Sequence, residues 1–285
     1  METQAKDIGH NLIHSILKER KPDAHKGTYG HLLLTVGSDR YRGAAVLSAL
    51  GAYYIGVGLA TVASTEKVIS SVASRVPEAI FLDISENEKE YLDTLTKANA
   101  CLIGCGLTTS NQALKLLEMT LFRAHCPLIM DADALNLLAQ NMKLLDNTNR
   151  FTVLMPHLKE FSRLISTPVE MIAENKETYA KEFASKHSVY LILKSDKTIV
   201  VTPKGKVYRN TLGNSGLAKA GSGDLLAGMV AGLIAMGYSI EDSTVTGVYL
   251  HSLAADVAAG KRNLHSLTAS YIAEYISKAY DMTLV

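Results

Sequence analysis

The sequence predicts an α/β fold built on a central, mostly parallel sheet with helices on both faces. Three observations carry the prediction. Short apolar runs recur along the chain, longer helical patterns fall between them, and several runs are apolar on both faces, as strands covered by helices on each side must be. HLLLTVG (31–37) is the first run. A small-residue helical pattern over 43–57 follows, then LATVAS (59–64) and ACLIG (100–104), a helix over 111–124, PLIMDAD (127–133) and FTVLMP (151–156). Helices over 157–166 and 175–187 precede VYLILK (189–194). The stretch TIVVTPKGKVYRN (198–210) breaks this rhythm: two β-rich runs flank Pro203, Lys204 and Gly205, which predicts a late β-hairpin. The chain then turns helical over 224–236, ending at Gly237, and over 244–259, ending at Gly260, with both glycines at C′ positions. A last helix over 269–282 puts Ile272, Tyr275, Ile276 and Ala279 on one apolar face. With no linker or internal repeat, residues 1–285 are expected to form one domain.

Bulk properties narrow the function. The 285 residues are 47% hydrophobic and 20% charged, the composition of a globular protein with a sizeable core. Twenty-nine basic and 28 acidic residues leave a net charge of +1 and no basic block, so no cationic face for nucleic acid is expected. Gly, Ser, Thr or a charge breaks every apolar stretch well before the ~20 residues of a membrane span. The start, METQAKDIGHNLIH, lacks the apolar core of a signal peptide, and the expected compartment is the cytoplasm. Cys101, Cys105 and Cys126 have no second Cys or His pair at zinc-site spacing, which makes them buried, reduced thiols.

The segment KAGSGDLLAG (219–228) raises a chemical question. Gly221 and Gly223 ahead of a helix would let a phosphate approach unpaired backbone N–H groups, and Gly228 would allow close helix packing. An ordinary helix start capped by Ser or Asp is the plainer alternative. No GK[ST] follows, so this is not a Walker A loop. A carboxylate at Asp224 beside a phosphate is repulsive unless it has a task. It would hold Mg²⁺ through water, or accept the proton of a hydroxyl attacking a phosphoryl group.

Other segments end at the same sheet edge. VGSDRYRGAA leads from a strand into a helix whose Ala44, Ala45, Ser48, Ala49 and Ala52 have almost no bulk, either for packing on the sheet or, at Gly43 to Ala45, for a ligand. IGCGLTTS (103–110) offers Gly104 and Gly106 at a strand's carboxyl end, where ligands bind in open α/β sheets. Asp131 is the candidate functional carboxylate, and Asp133 the cap of the next helix. His157 and Glu160 share a helix face, as a metal pair lacking a third ligand or with His157 bonded to substrate. Lys194 and Lys197 flank a turn that is either a nucleotide clamp or simply solvated.

HKGTYG (25–30), VGSDRYRGAA, GCGL, DADALN, PHLKEF, LKSDKTIV and GNSGLAKAGSGDLLAG occur in one order. Together they resemble the nucleotide-dependent NAD(P)H-hydrate dehydratases, a branch of the ribokinase-like superfamily, over residues 24–275. The resemblance implies ADP- or ATP-driven dehydration of the S epimer of hydrated NADH or NADPH, releasing phosphate and AMP or ADP, with Mg²⁺ offsetting nucleotide charge. It implies a homotetramer and a functional pairing with an NAD(P)H-hydrate epimerase. Carried over residue by residue, it assigns Ala44 or Ala45, Gly106, His157 and Asp224 to the hydrate, with Asp224 catalytic. Lys194, Ser195, Asp196, Lys197, Thr198, Asn214, Gly221, Ser222 and Gly223 fall to the nucleotide. Gly104, Asp131 and Glu160 would support, and no protein side chain is assigned to the metal. The chain departs from the family pattern in three places: GCGLT for GPGLG, MPHLKE for TPHPGE, and Ser195 and Asp196 in place of glycines. A kinase for a vitamin-precursor alcohol and a turnover-free nucleotide sensor are the rival readings.

Overall fold

The computed structural model describes residues 5–85, 87–146 and 151–285; residues 1–4 of the amino-terminal segment discussed above lie outside them. Ten strands form one sheet: β1 (Lys6–Asp7), β2 (His31–Thr35), β3 (Leu59–Ser64), β4 (Ile80–Asp83), β5 (Ala100–Ile103), β6 (Leu128–Met130), β7 (Thr152–Leu154), β8 (Tyr190–Leu193), β9 (Ile199–Val201) and β10 (Val207–Arg209). Their spatial order is β1-β10-β9-β8-β7-β6-β5-β2-β3-β4. All pairs are parallel except β8–β9 and β9–β10, so the late hairpin reverses the direction of an otherwise parallel sheet. Gly205, at φ +74°, makes its turn.

Fourteen α-helices surround the sheet among the described residues. They are α1 (His10–Ile16), α2 (Arg42–Ile55), α3 (Glu66–Ala73), α4 (Glu88–Lys97), α5 (Asn111–Arg123), α6 (Asp133–Gln140), α7 (Lys143–Asp146), α8 (Leu158–Ile165), α9 (Val169–Glu174), α10 (Lys176–His187), α11 (Ser222–Ala235), α12 (Ile240–Ala259), α13 (Ala269–Ala273) and α14 (Ile276–Leu284). Alternation along the strands feeds two cores. Leu32 and Leu34 of β2 pack with α2, α11 and α12, whereas Leu33 packs on the other face with α4 and α5.

Several expectations need correction. The small residues of α2 serve helix–helix packing more than helix–sheet packing. A Cβ on Gly228 of α11 would stand 2.0 Å from Ser48 O, and one on Gly51 would stand 2.2 Å from Leu225 O. Two helices in backbone contact tolerate only hydrogen there. The expected final helix is two, α13 and α14, broken at Glu274 and Tyr275. Gly237 takes the left-handed conformation at φ +89°, but Gly260 stays right-handed at φ −69°, because α12 unwinds through further turns to Lys261 and Arg262. The short edge strands β1 and β4 were not expected. β1 is only two residues long, and β4 is half-solvated with Ile80 exposed.

Candidate active site

Parallel registry brings the motif loops to one level. Thr35 pairs with Ile103, Ile103 with Met130 and Met130 with Leu154, so β2, β5, β6 and β7 end together at their carboxyl edge. His157 and Lys194 prolong the edge through one parallel bridge, and Lys194 N donates to Pro156 O at 2.8 Å.

The start of α11 faces this edge. Gly221 has φ +93°, and a Cβ there would lie 2.3 Å from Leu47 Cδ1. No side chain caps the helix, which leaves its first-turn N–H groups and their partial positive charge open to an anion. Gly223 opens the site itself: a Cβ there would lie 3.3 Å from Lys194 Nζ and 3.8 Å from Asp131 Oδ2. The helix start, an ammonium and a carboxylate therefore converge on one point.

Lys194 Nζ donates to Asp131 Oδ1 at 2.5 Å. Asp131 is 1% exposed and the Lys194 side chain 18%. Burial pushes the Asp131 carboxyl up, and Lys194 pulls it back. Burial likewise disfavours the Lys194 ammonium, but Asp131 and Glu160 outweigh it and lift its pKa above the ordinary lysine value. The sequence reading grouped Lys194 with the turn 195–198 as a solvated group or a nucleotide clamp. Its ammonium is not solvated but is paired with Asp131, at the end of β6.

Asp224 stands in the first turn of α11. Burial and then the charge of Asp131 push its carboxyl to about 6, while a hydrogen bond from the Cys105 thiol and the Lys194 charge restrain the rise. Cys105 is fully buried, and burial with the Asp224 and Asp131 charges holds its thiol well above the ordinary range. All three cysteines are buried and outside any disulfide, as expected, but Cys105 lies beneath the candidate base. His251 of α12 was missed by the sequence reading. It is buried, hydrogen-bonds the Ser222 backbone, and is pushed to about 4 by burial and Lys194. The buried His251 Nε2 and Ser222 Oγ have no hydrogen-bond partner.

His157 and Glu160 form no metal pair in this arrangement. His157 is the N-cap of α8: its Nδ1 accepts from Lys159 N and Glu160 N, and Glu160 Oε2 accepts from His157 N. Burial, Lys194, Arg163 and Lys159 push the ring to about 4. It is therefore neutral at pH 7, and its 3.4 Å approach to Glu160 Oε1 is not an ion pair. Half of the ring remains open to solvent. Burial lifts the Glu160 carboxyl to about 7, against Lys194.

Gly106, at φ +65°, sits so that a Cβ would lie 2.8 Å from Ala44 Cβ, which makes Gly106 and Ala44 neighbours. The Ala45 side chain is wholly buried and faces Gly37 instead. Gly104 is needed for packing, since its Cβ would meet Asp131 O at 2.1 Å. Asp133 is not the cap of α6, a position held by Ala132; its carboxylate accepts from Thr108 N at 2.8 Å and so ties down the glycine turn. In the turn 195–198, Lys176 Nζ donates to Ser195 Oγ and Lys197 O, and Thr198 Oγ1 bonds Ser195, while Asp196 and Lys197 are exposed. The Asn214 amide donates to Asp256 Oδ1 and accepts from Gly216 N, which fixes the side chain in its loop. Lys176 and Asp256 carry no motif in the sequence and were not foreseen.

A family model described as NAD(P)H-hydrate dehydratase matches residues 32–278. The chain belongs to the NAD(P)H-hydrate dehydratase family. It is 31% identical over 268 residues to the ADP-dependent (S)-NAD(P)H-hydrate dehydratase of Bacillus subtilis (strain 168), covering 94% of this chain and 95% of that one. The crystal structure of the ADP/ATP-dependent NAD(P)H-hydrate dehydratase from Bacillus subtilis co-crystallized with ATP/Mg²⁺ matches with a TM-score of 0.87 at 29% identity, over 98% of this chain and 99% of that one. A ribokinase-like superfamily protein from Enterococcus faecalis V583 matches with a TM-score of 0.86 at 28% identity, over 98% of both chains, and the fold is ribokinase-like. The chain also matches proteins named bifunctional NAD(P)H-hydrate repair enzymes and spans about half of their length, 52% and 51% in two cases. In this dehydratase-family chain, Gly106, Asp131, His157, Lys194 and Asp224 all stand at one sheet edge.

Proposed function

We propose that the protein dehydrates the S epimer of hydrated NADH or NADPH at the expense of ADP or ATP, releasing phosphate and AMP or ADP. The observation that carries this reading is Asp224, a carboxyl lifted to about 6, beside an uncapped helix start with an open glycine. Such a base is mostly ionised at neutral pH yet more basic than an ordinary aspartate, and it adjoins N–H groups suited to a phosphoryl group. Family membership supports the substrate.

In the first step the C6 hydroxyl oxygen attacks the terminal phosphorus and its proton passes to Asp224. The phosphorus–oxygen bond to the nucleotide breaks with its electron pair leaving on the nucleotide. In the second step the C6–O bond breaks, the pair leaving with phosphate as the ring-nitrogen lone pair pushes in. Loss of the C5 proton to solvent restores the double bond. Ala44, Gly106 and His157 face the hydrate in this reading, and the turn 195–198, the Asn214 backbone and Gly221 to Gly223 face the nucleotide.

No group of three or more His, Cys, Asp or Glu suited to a metal occurs among the described residues. A Mg²⁺ ion carried on the nucleotide phosphates would neutralise phosphate charge, and Asp131 and Asp224 are the site carboxylates that would hold it, directly or through water. The reading also includes a single domain, a cytoplasmic homotetramer and a functional pairing with an NAD(P)H-hydrate epimerase, the last supported by the bifunctional names of the longer relatives. The test is incubation with hydrated NADH, Mg²⁺ and ADP or ATP while NADH absorbance is followed. Recovery supports dehydration. A stable phosphorylated alcohol would point to a kinase, and binding without product to a sensor.

A further inference from the structure

We infer that Lys194 belongs to the reacting end of the site, where its ammonium holds the phosphoryl group in transfer, and that Asp131 is its positioning residue. The inference rests on the phosphoryl-transfer reading above but departs from the resemblance, which groups Lys194 with the turn that holds the spent nucleotide.

The geometry separates Lys194 from that turn. Ser195, Lys197 and Thr198 bond one another and Lys176, whereas the Lys194 side chain crosses to Asp131 at the end of β6. Nζ lies 3.3 Å from the Cβ position of Gly223, in the first turn of α11. A phosphoryl group received by the N–H groups of that turn would therefore touch the ammonium. An ammonium has three donors. One is spent on Asp131, which leaves two for phosphoryl oxygens. Asp131 is itself held, because its Oδ1 also accepts from Ala132 N at 2.8 Å.

Chemistry favours the same place. In phosphoryl transfer, charge spreads over the three equatorial oxygens, and a fixed cation in a site poor in water stabilises it more in the transition state than in the bound nucleotide. Lys194 forms and breaks no covalent bond and keeps its proton, while the hydroxyl proton goes to Asp224. The nucleotide turn can then bind ADP without Lys194, but transfer cannot proceed at its normal rate.

The experiment compares wild type with Lys194→Met, Asp131→Asn and the double variant. The double variant matters because Lys194→Met strands a buried carboxylate and risks misfolding. In folded variants lacking Lys194, turnover of hydrated NADH at saturating ADP should fall about 10²- to 10³-fold, the scale of a lost transition-state donor. The calorimetric Kd for ADP should stay within about twofold. Asp131→Asn should lower kcat with little change in either KM. Orthovanadate, a mimic of phosphoryl transfer, should tighten AMP binding in wild type and not in the variants without Lys194. Normal kcat with weakened ADP binding, or vanadate tightening that survives the loss of Lys194, would overturn the inference. If wild type restores no NADH, the dehydratase reading fails, and the vanadate arm still decides the role of Lys194.

Discussion

His157 and Glu160 cap α8 reciprocally: Nδ1 accepts from Glu160 N at 3.2 Å, and Glu160 Oε2 accepts from His157 N at 2.8 Å. A histidine at this position thus has two tasks, closing the helix and presenting its half-open ring to the site. His157→Ala should cost about 1 kcal/mol, the scale of a lost cap. The stability gap is full above the ordinary histidine value of 6.5 and closes as pH falls through about 4, because the folded-state pKa is depressed. In the folded variant the KM for the hydrate should rise while the KM for ADP barely moves. Thermal melting with steady-state kinetics in both substrates checks this, and a destabilised variant with unchanged hydrate KM would end the substrate-contact assignment.

Asp224→Asn separates activity from stability. Turnover should fall roughly 10²- to 10⁴-fold, as for a lost general base, with ADP affinity nearly intact. The wild-type carboxyl, lifted to about 6 by burial, favours the fold fully below the ordinary aspartate value of 3.8 and loses that contribution as pH rises through about 6. Asparagine does not titrate. The variant should therefore melt higher than wild type at pH 8, by about 2–4 °C for an effect of ~1 kcal/mol after solvent screening, and lose that advantage at pH 4. Melting curves at the two pH values test the sign, and wild-type turnover in the variant would remove Asp224 as base.

Gly223→Val tests the cradle. The new side chain would enter the space over Lys194 Nζ and Asp131 Oδ2, where a phosphate would approach the helix start. Calorimetry with ADP should show affinity weakened about tenfold or more in a variant that thermal melting shows to be folded. Unchanged affinity in the folded variant would count against a phosphate site at Gly223.

The sequence was most legible where a local rule acts alone. Six buried parallel strands announce themselves as apolar runs, and β3 falls on LATVAS residue for residue. The glycines at 104, 106, 221 and 223 mark backbone that a Cβ would obstruct or close off. What was not legible depends on partners distant in sequence. Lys194 looks like a turn residue until β6 supplies Asp131, 63 positions away. His251 and Asp256 sit in a helix with no motif, and only its packing against α11 and the Asn214 loop gives them partners. Helix rotation, which no motif records, puts Ala44 beside Gly106 and Ala45 in the core. The edge strand β4 hides its period because both of its faces are partly solvated.

Cys105 stands where the family pattern has proline, and hydrogen bonding by its buried thiol restrains the rise of the Asp224 carboxyl. That bond favours the charged base, against burial and the repulsion of Asp131 and Asp133, and it acts alongside Lys194. Cys105→Ala removes the donor, so the Asp224 pKa should rise above about 6. The shift should be on the order of half a pH unit, the scale of one neutral hydrogen bond. The acidic limb of kcat/KM would move to higher pH, costing activity at pH 6 and almost none at pH 8, where the carboxyl is ionised either way. Cys105→Ser keeps a donor and should leave the limb near its wild-type position. A cavity effect in the alanine variant would lower activity at both pH values and lower the melting temperature, which distinguishes packing from proton affinity. Overlapping pH profiles for all three proteins would show that the thiol packs beneath Asp224 without tuning it.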